Sequence, residues 1–211
     1  DKTPKNFRFS IKVWRDISHQ RDMNERASID DKISYFITEL TPIIDKIECL
    51  LLQFPSSFEP NEKNIEYLEK VISIIDNLSN FDVIVELRNN NWFSSDTQIS
   101  NLIQGEVYLG TIYLKNIQPF YNPAQNKYYI RLIGDRKLSD FSRIQREMKE
   151  TWKELISKLY DFQKNEEITD IFVIFNNHFS GFAPQDCLRL KKELGLKYKR
   201  FDTQRKLNDY I

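Results

Sequence analysis

Along residues 7–15, "FRFSIKVWR", side chains alternate: Phe7, Phe9, Ile11 and Val13 fall on one side, Arg8, Ser10, Lys12 and Trp14 on the other. A period of two predicts a strand. The period then changes. In "IDDKISYFITELTPII", Ile33, Phe36, Ile37 and Leu40 recur at helical spacing, with Asp30 or Asp31 as the expected N-cap. "IECLLLQFP" is a short apolar run that Pro55 stops, which predicts a strand buried on both faces. In "PNEKNIEYLEKVISII", Ile65, Leu68, Val71, Ile72 and Ile75 form one stripe, and Pro60 is expected in the first turn of that helix. "FDVIVELR" is the next strand.

The alternation continues. "DTQISNLI" predicts a short helix, "EVYLGTIYL" a strand, "NIQPFYNPAQN" a turn-rich connection and "KYYIRLIG" another strand. "SRIQREMKETWKELISKLYDF" predicts a long helix with Ile144, Met148, Trp152, Leu155, Ile156 and Leu159 on one face. "DIFVIFNN", Asp170 to Asn177, is the last strand, and "PQDCLRLKKELG" a helix ending at Gly195. Short apolar strands alternating with amphipathic helices predict an α/β fold with a parallel sheet covered by helices. An open doubly wound sheet and a closed barrel both fit this pattern.

Composition narrows the function classes. The 211 residues are 40% hydrophobic, enough for one sizeable core. Lys plus Arg and Asp plus Glu number 31 each, so bulk charge gives no reason to expect nucleic-acid or membrane binding. No apolar run reaches the roughly 18 residues of a membrane span. Cys49 and Cys187 lie far apart without a CxxC and read as buried, reduced thiols, which points to the cytoplasm.

In either architecture a ligand binds beyond the carboxyl ends of the strands. The first strand delivers Lys12, Arg15 and, in its following loop, His19. The second delivers Gln53. The third delivers Glu86 and Arg88, with Trp92 beyond. The fifth delivers Arg131, and the sixth Asn176, Asn177 and His178. The chain has 2 histidines, and both fall just past strand ends. The amino ends carry Asn6, Lys46, Asp82 and Asp170, an ordinary solvated set. Each candidate has a plainer reading. Glu86 and Arg88 fit a structural ion pair, since residues at i and i+2 of a strand share a face. Lys12 and Arg15 fit a solvated face, and Trp92 fits packing. There is no P-loop, GxGxxG, HExxH or GxSxG, and no carboxylate cluster beside the histidines, so no metal or cofactor is assigned.

"FSIKVWRDISH", "LLLQFPSSF", "VIVELRNNNWF", "YYIRLIG" and "VIFNNHFSGFAPQD" occur in that order. Together they resemble the YecE-like proteins, the family catalogued as domain of unknown function 72, over Phe7 to about Leu194. The resemblance implies a single domain over residues 1–211 with a TIM-barrel-like parallel (β/α) fold, lacking the first two βα units of the family. A full barrel takes about 250 residues. The chain departs from the family at Ser18, Asn89 and Ile133, where the family has threonine, histidine and histidine. Mechanisms that need those two imidazoles do not carry over.

The resemblance transfers no activity. The residues themselves suggest a hydrolase- or lyase-type enzyme acting on an anionic small molecule. Glu86 and His19 are the candidate proton carriers, and Lys12, Arg15, Gln53, Arg88, Trp92, Arg131, Asn176, Asn177 and His178 the candidate substrate contacts. A nucleic-acid-associated protein is disfavoured by the balanced charge. A non-catalytic ligand-binding or scaffold barrel is the remaining alternative.

Overall fold

The computed structural model describes residues 3–19, 28–94, 99, 103, 105–135 and 137–198. Among them are strands β1 (Phe9–Lys12), β2 (Ile47–Gln53), β3 (Asp82–Glu86), β4 (Val107–Leu114), β5 (Lys127–Gly134) and β6 (Asp170–Phe175). The helices are α1 (Arg15–Ser18), α2 (Ile29–Glu39), α3 (Glu62–Leu78), α4 (Lys149–Gln163), α5 (Asn177–Ser180) and α6 (Ala183–Glu193). All six strands form one sheet whose spatial order is the chain order, and every pairing is parallel. That is the βα repeat read in three dimensions: each crossover, helical after β1, β2 and β5 but a helix-free loop between β4 and β5, returns the chain to lie beside the strand just completed.

The sheet is curled. The Ser10 hydroxyl of β1 lies 2.7 Å from the Tyr129 hydroxyl of β5, so strands four places apart in the order face each other across the concave side. The result is an all-parallel half-barrel of the TIM-barrel-like kind. Pleating divides each strand between two environments. On β3, Val83, Val85 and the following Leu87 enter the core beneath α2 and α3 with Ile33, Phe36, Leu68, Val71 and Ile75. Each of these side chains contributes about 1.5–3 kcal/mol by leaving water. Ile84 points the other way and joins Cys49, Leu51, Tyr108 and Tyr129 on the concave face. A second core forms where α4 lays Trp152, Leu155, Leu159 and Phe162 against β5 and β6.

Several local expectations need correction. The N-cap of α2 is Ser28, not Asp30 or Asp31; Asp31 completes a capping box at the third helical position. Asn61 caps α3, so Pro60 precedes the helix rather than entering its first turn. The long helix begins only at Lys149. Residues 142–148 stay non-helical, and the amides of Gln145 and Arg146 donate to the Ser180 carbonyl at 2.8 and 3.1 Å. Gly181, at φ +119, permits that approach; a Cβ there would lie 2.5 Å from the Arg143 carbonyl oxygen. The helix expected from "DTQISNLI" lies almost wholly outside the described residues. Cys49 is buried, Cys187 only half-buried, and both are free thiols. No described helix is long and apolar enough to cross a membrane.

Candidate functional site

The pleat that sends Val83, Val85 and Leu87 into the core sends Glu86 to the concave face, at the carboxyl end of β3. Gln53 is its register partner on β2, so the two side chains stand next to each other. Glu86 is fully buried. An isolated buried carboxylate costs several kcal/mol unless it is paired and hydrogen-bonded, and here both oxygens are engaged. Arg88 Nε donates to Oε1 at 2.7 Å, and Arg131 Nη1 donates to Oε2. The Gln53 side-chain carbonyl accepts from Arg88 Nη2 at 2.9 Å and from Lys12 Nζ at 3.1 Å. Strands β1, β2, β3 and β5 thus supply one connected network: Lys12, Gln53, Arg88, Glu86, Arg131.

Arg131 reaches Glu86 from β5, across β4. Gly110 lies on β4 opposite Tyr129 and beside Glu86. A Cβ at that position would meet Ile84 Cγ2 at 3.2 Å and Glu86 Cα at 3.8 Å. Having no side chain there leaves open the space through which the two groups meet.

The cluster holds three cationic side chains against one carboxylate. The guanidinium groups are themselves largely shielded, with side-chain exposures of 11% for Arg88 and 17% for Arg131. Lys12 is exposed at the rim. Two guanidinium groups thus share the single Glu86 carboxylate at the mouth. Arginine forks held by a carboxylate are fixed in direction, which suits bidentate recognition of phosphate or carboxylate.

The other candidates are placed elsewhere or committed to local bonds. His19 caps α1, and its Nδ1 lies 2.7 Å from the Ser18 hydroxyl. Arg15 opens the same helix and is exposed. The Asn176 side-chain oxygen caps α5 by accepting from the His178 amide at 2.9 Å. The Asn177 oxygen accepts from the Ala183 amide at 2.9 Å and so ties α5 to α6. The His178 ring meets Phe141 edge-on at 4.9 Å between centroids, and its Nδ1 is buried with no hydrogen-bond partner among the described residues. Trp92 is corrected outright. It is fully buried, stacked on Phe58 at 5.3 Å, with its indole N–H donating to the Phe58 carbonyl at 2.5 Å; it presents no face to a ligand. Among the described residues, no three His, Cys, Asp or Glu side chains come together as a metal cage.

Three features escape the sequence pattern. The Ser10–Tyr129 bridge, with the Cys49 thiol donating to Ser10 at 3.4 Å, forms the floor below the network. Arg146 binds Asp135 at 2.8 Å and the carbonyls of His178 and Phe179, locking the loop after β5 to α5. Gly110 shapes the space above β4. A tyrosine in the middle of a strand, an arginine in a polar stretch and a lone glycine carry no signal without the register that brings their partners near.

The whole chain can be compared with known proteins. The family model described as protein of unknown function DUF72 matches residues 1–209. The UPF0759 protein YunF of Bacillus subtilis is 24% identical over 217 residues, covering 93% of this chain and 76% of that protein. A crystal structure of a DUF72 family protein from Enterococcus faecalis superposes with a TM-score of 0.74 at 26% identity, covering 92% of this chain and 81% of that one. Another, from Thermotoga maritima, gives 0.71 at 23% identity, covering 92% and 76%. The ordered strand-end motifs, the parallel half-barrel and these matches have one source: the chain belongs to the DUF72 family, whose function is unknown.

Proposed function

We propose that the network at the carboxyl ends of β1, β2, β3 and β5 binds an anionic small molecule, a phosphate ester or a carboxylate, and that the protein is an enzyme of hydrolase or lyase type acting on it. The observation that carries this reading is the convergence of cationic side chains at the carboxyl ends of the strands: Arg88 and Arg131 both bond Glu86, and Lys12 and Arg88 both bond Gln53. Both Glu86 oxygens accept from guanidinium groups, so its part is to aim Arg88 and Arg131 rather than to carry a proton. Negative charge developing on a substrate would meet donors already in position, which removes the reorganisation that water would require. His19 remains the candidate proton carrier. Among the described residues β1 and β6 are the two edges of the sheet.

The test is ligand binding by thermal shift and calorimetry with inorganic phosphate, sugar phosphates and dicarboxylates. An anion of this class is expected to raise Tm. Lys12→Gln, a change at an exposed position, is expected to weaken binding about tenfold, the loss of one charge-assisted hydrogen bond. No response to any of the three classes, or equal affinity in Lys12→Gln, would overturn the proposal. A search for turnover of ligands that bind then tests the enzymatic half, with Glu86→Gln expected to abolish it.

A further inference from the structure

A cavity of about 660 Å³ lies away from the concave face, between residues 144–148, α4, α5 and α6. That volume falls in the range of small-molecule sites. Met148, Trp152, Phe179, Phe182 and Leu188 give it an apolar wall. Asp186, from the first turn of α6, lines it and is 4% exposed. The Ser180 hydroxyl donates to Asp186 Oδ2; Oδ1 is not among the buried unpartnered atoms of the described residues, so, having no protein donor there, it opens onto the cavity.

The charges around Asp186 are nearly all matched locally. Arg146 is held by Asp135 at 2.8 Å. Arg189 pairs with Glu193 at 3.2 Å and stacks on Trp152 at 4.0 Å. Glu147 pairs with Lys149 at 3.0 Å. Lys192 stands exposed at the rim. Among the described residues lining the cavity, the deeply buried charge without a salt-bridge partner is therefore the Asp186 carboxylate. Burial pushes its proton affinity up, against smaller opposing pulls from the Ser180 hydroxyl and Arg189. A carboxylate with so little exposure is costly to keep charged, and a donor that supplies both hydrogen bond and charge relieves that cost.

We propose that this cavity is a second ligand site, taking a flat apolar molecule that carries an amine or amidine, with its N–H groups on Asp186 Oδ1 and its body against Phe179, Phe182 and Met148. The site is independent of the anion site: it lies on the helix side of the sheet and selects the opposite charge.

Chemical-shift mapping on ¹⁵N-labelled protein tests it, with benzamidine and tryptamine as probes and benzoate and indole-3-acetate as matched bodies of opposite charge. The cationic probes are expected to shift the amides of Ser180 and Asp186 and the indole of Trp152, at concentrations up to about 10 mM, the range for one ion pair with apolar contact. The anions should leave those signals in place. Asp186→Asn, which keeps shape and removes charge, should weaken the cationic probes about tenfold. No shifts with either cation would overturn the proposal, as would equal binding of the anionic analogues. Unchanged affinity in Asp186→Asn would do so as well, since the charge would then play no part.

Discussion

Glu86 and Arg131 meet across a strand that belongs to neither. Glu86 ends β3, Arg131 sits on β5, and β4 runs between them. The bond therefore ties non-adjacent strands of the half-barrel, and its loss leaves a buried carboxylate half-satisfied. Arg131→Met is expected to cost about 3–5 kcal/mol, the usual price of removing one partner of a buried pair. Adding Glu86→Leu should recover part of that loss, because the stranded charge is gone. Urea unfolding of both singles and the double gives the coupling; strictly additive effects would show that the bond contributes nothing to the fold.

Gly110 should be intolerant for a reason specific to that contact. Gly110→Val places branched methyl groups against Ile84, in the space that Arg131 crosses. Overpacking of this kind costs about 1–3 kcal/mol. The sharper readout is affinity: with Arg131 displaced, phosphate binding should fall with it. A Gly110→Val protein that loses stability yet binds phosphate as before would separate packing from site geometry and count against the assignment.

Trp92 gives the opposite expectation. It stacks beneath Phe58 and Phe54 and spends its indole N–H on a backbone carbonyl. Trp92→Ala should cost about 3–5 kcal/mol, as for other large buried side chains. The folded fraction at low temperature should bind anions with unchanged affinity. A selective loss of affinity with little change in stability would return Trp92 to the list of ligand contacts.

The pH dependence of stability should carry the mark of Asp186. Burial holds its carboxyl above the ordinary value of 3.8. A group whose protonated form the folded state favours contributes stability fully below its unfolded value, and loses it as pH rises through the folded one. Relative to Asp186→Asn, the native chain should therefore lose stability as pH climbs from 3.8 through that raised value. Unfolding midpoints of the two proteins across that window measure the difference. A constant offset would mean that the carboxyl titrates normally.

The sequence pattern carried the architecture well because each βα unit declares itself locally. A strand buried on both sides, such as "LLLQ", is apolar throughout; a helix such as α3 shows its stripe. The network of Lys12, Gln53, Glu86, Arg88 and Arg131 was also visible, because all five residues sit near strand ends where the fold class places ligands. Their connection was not. Which guanidinium meets which carboxylate oxygen depends on strand register and on the empty position at Gly110. The late start of α4, at Lys149, has the same origin. Ser142–Met148 has a helical pattern, but the Ser180 carbonyl and the close approach at Gly181 offer its amides non-local partners. Asn176 and Asn177 each commit a side-chain oxygen to a backbone amide, which their place after a strand also allows. Asparagines after a strand serve turn capping as readily as catalysis, and the sequence does not distinguish the two.

The identity of chain order and strand order has a consequence for how the molecule comes apart. Each interior strand is held by its sequence neighbours, so terminal units can detach without disturbing the middle, as in a linear array. The Ser10–Tyr129 and Glu86–Arg131 links oppose that behaviour, because each joins strands that are not adjacent. Glu86 and Arg131, which gather charge at the mouth, are thus also a stitch, as Ser10 and Tyr129 are at the floor, and the strands they join should melt together. Amide exchange should show β1, β3, β4 and β5 opening together, with β6 fraying ahead of them.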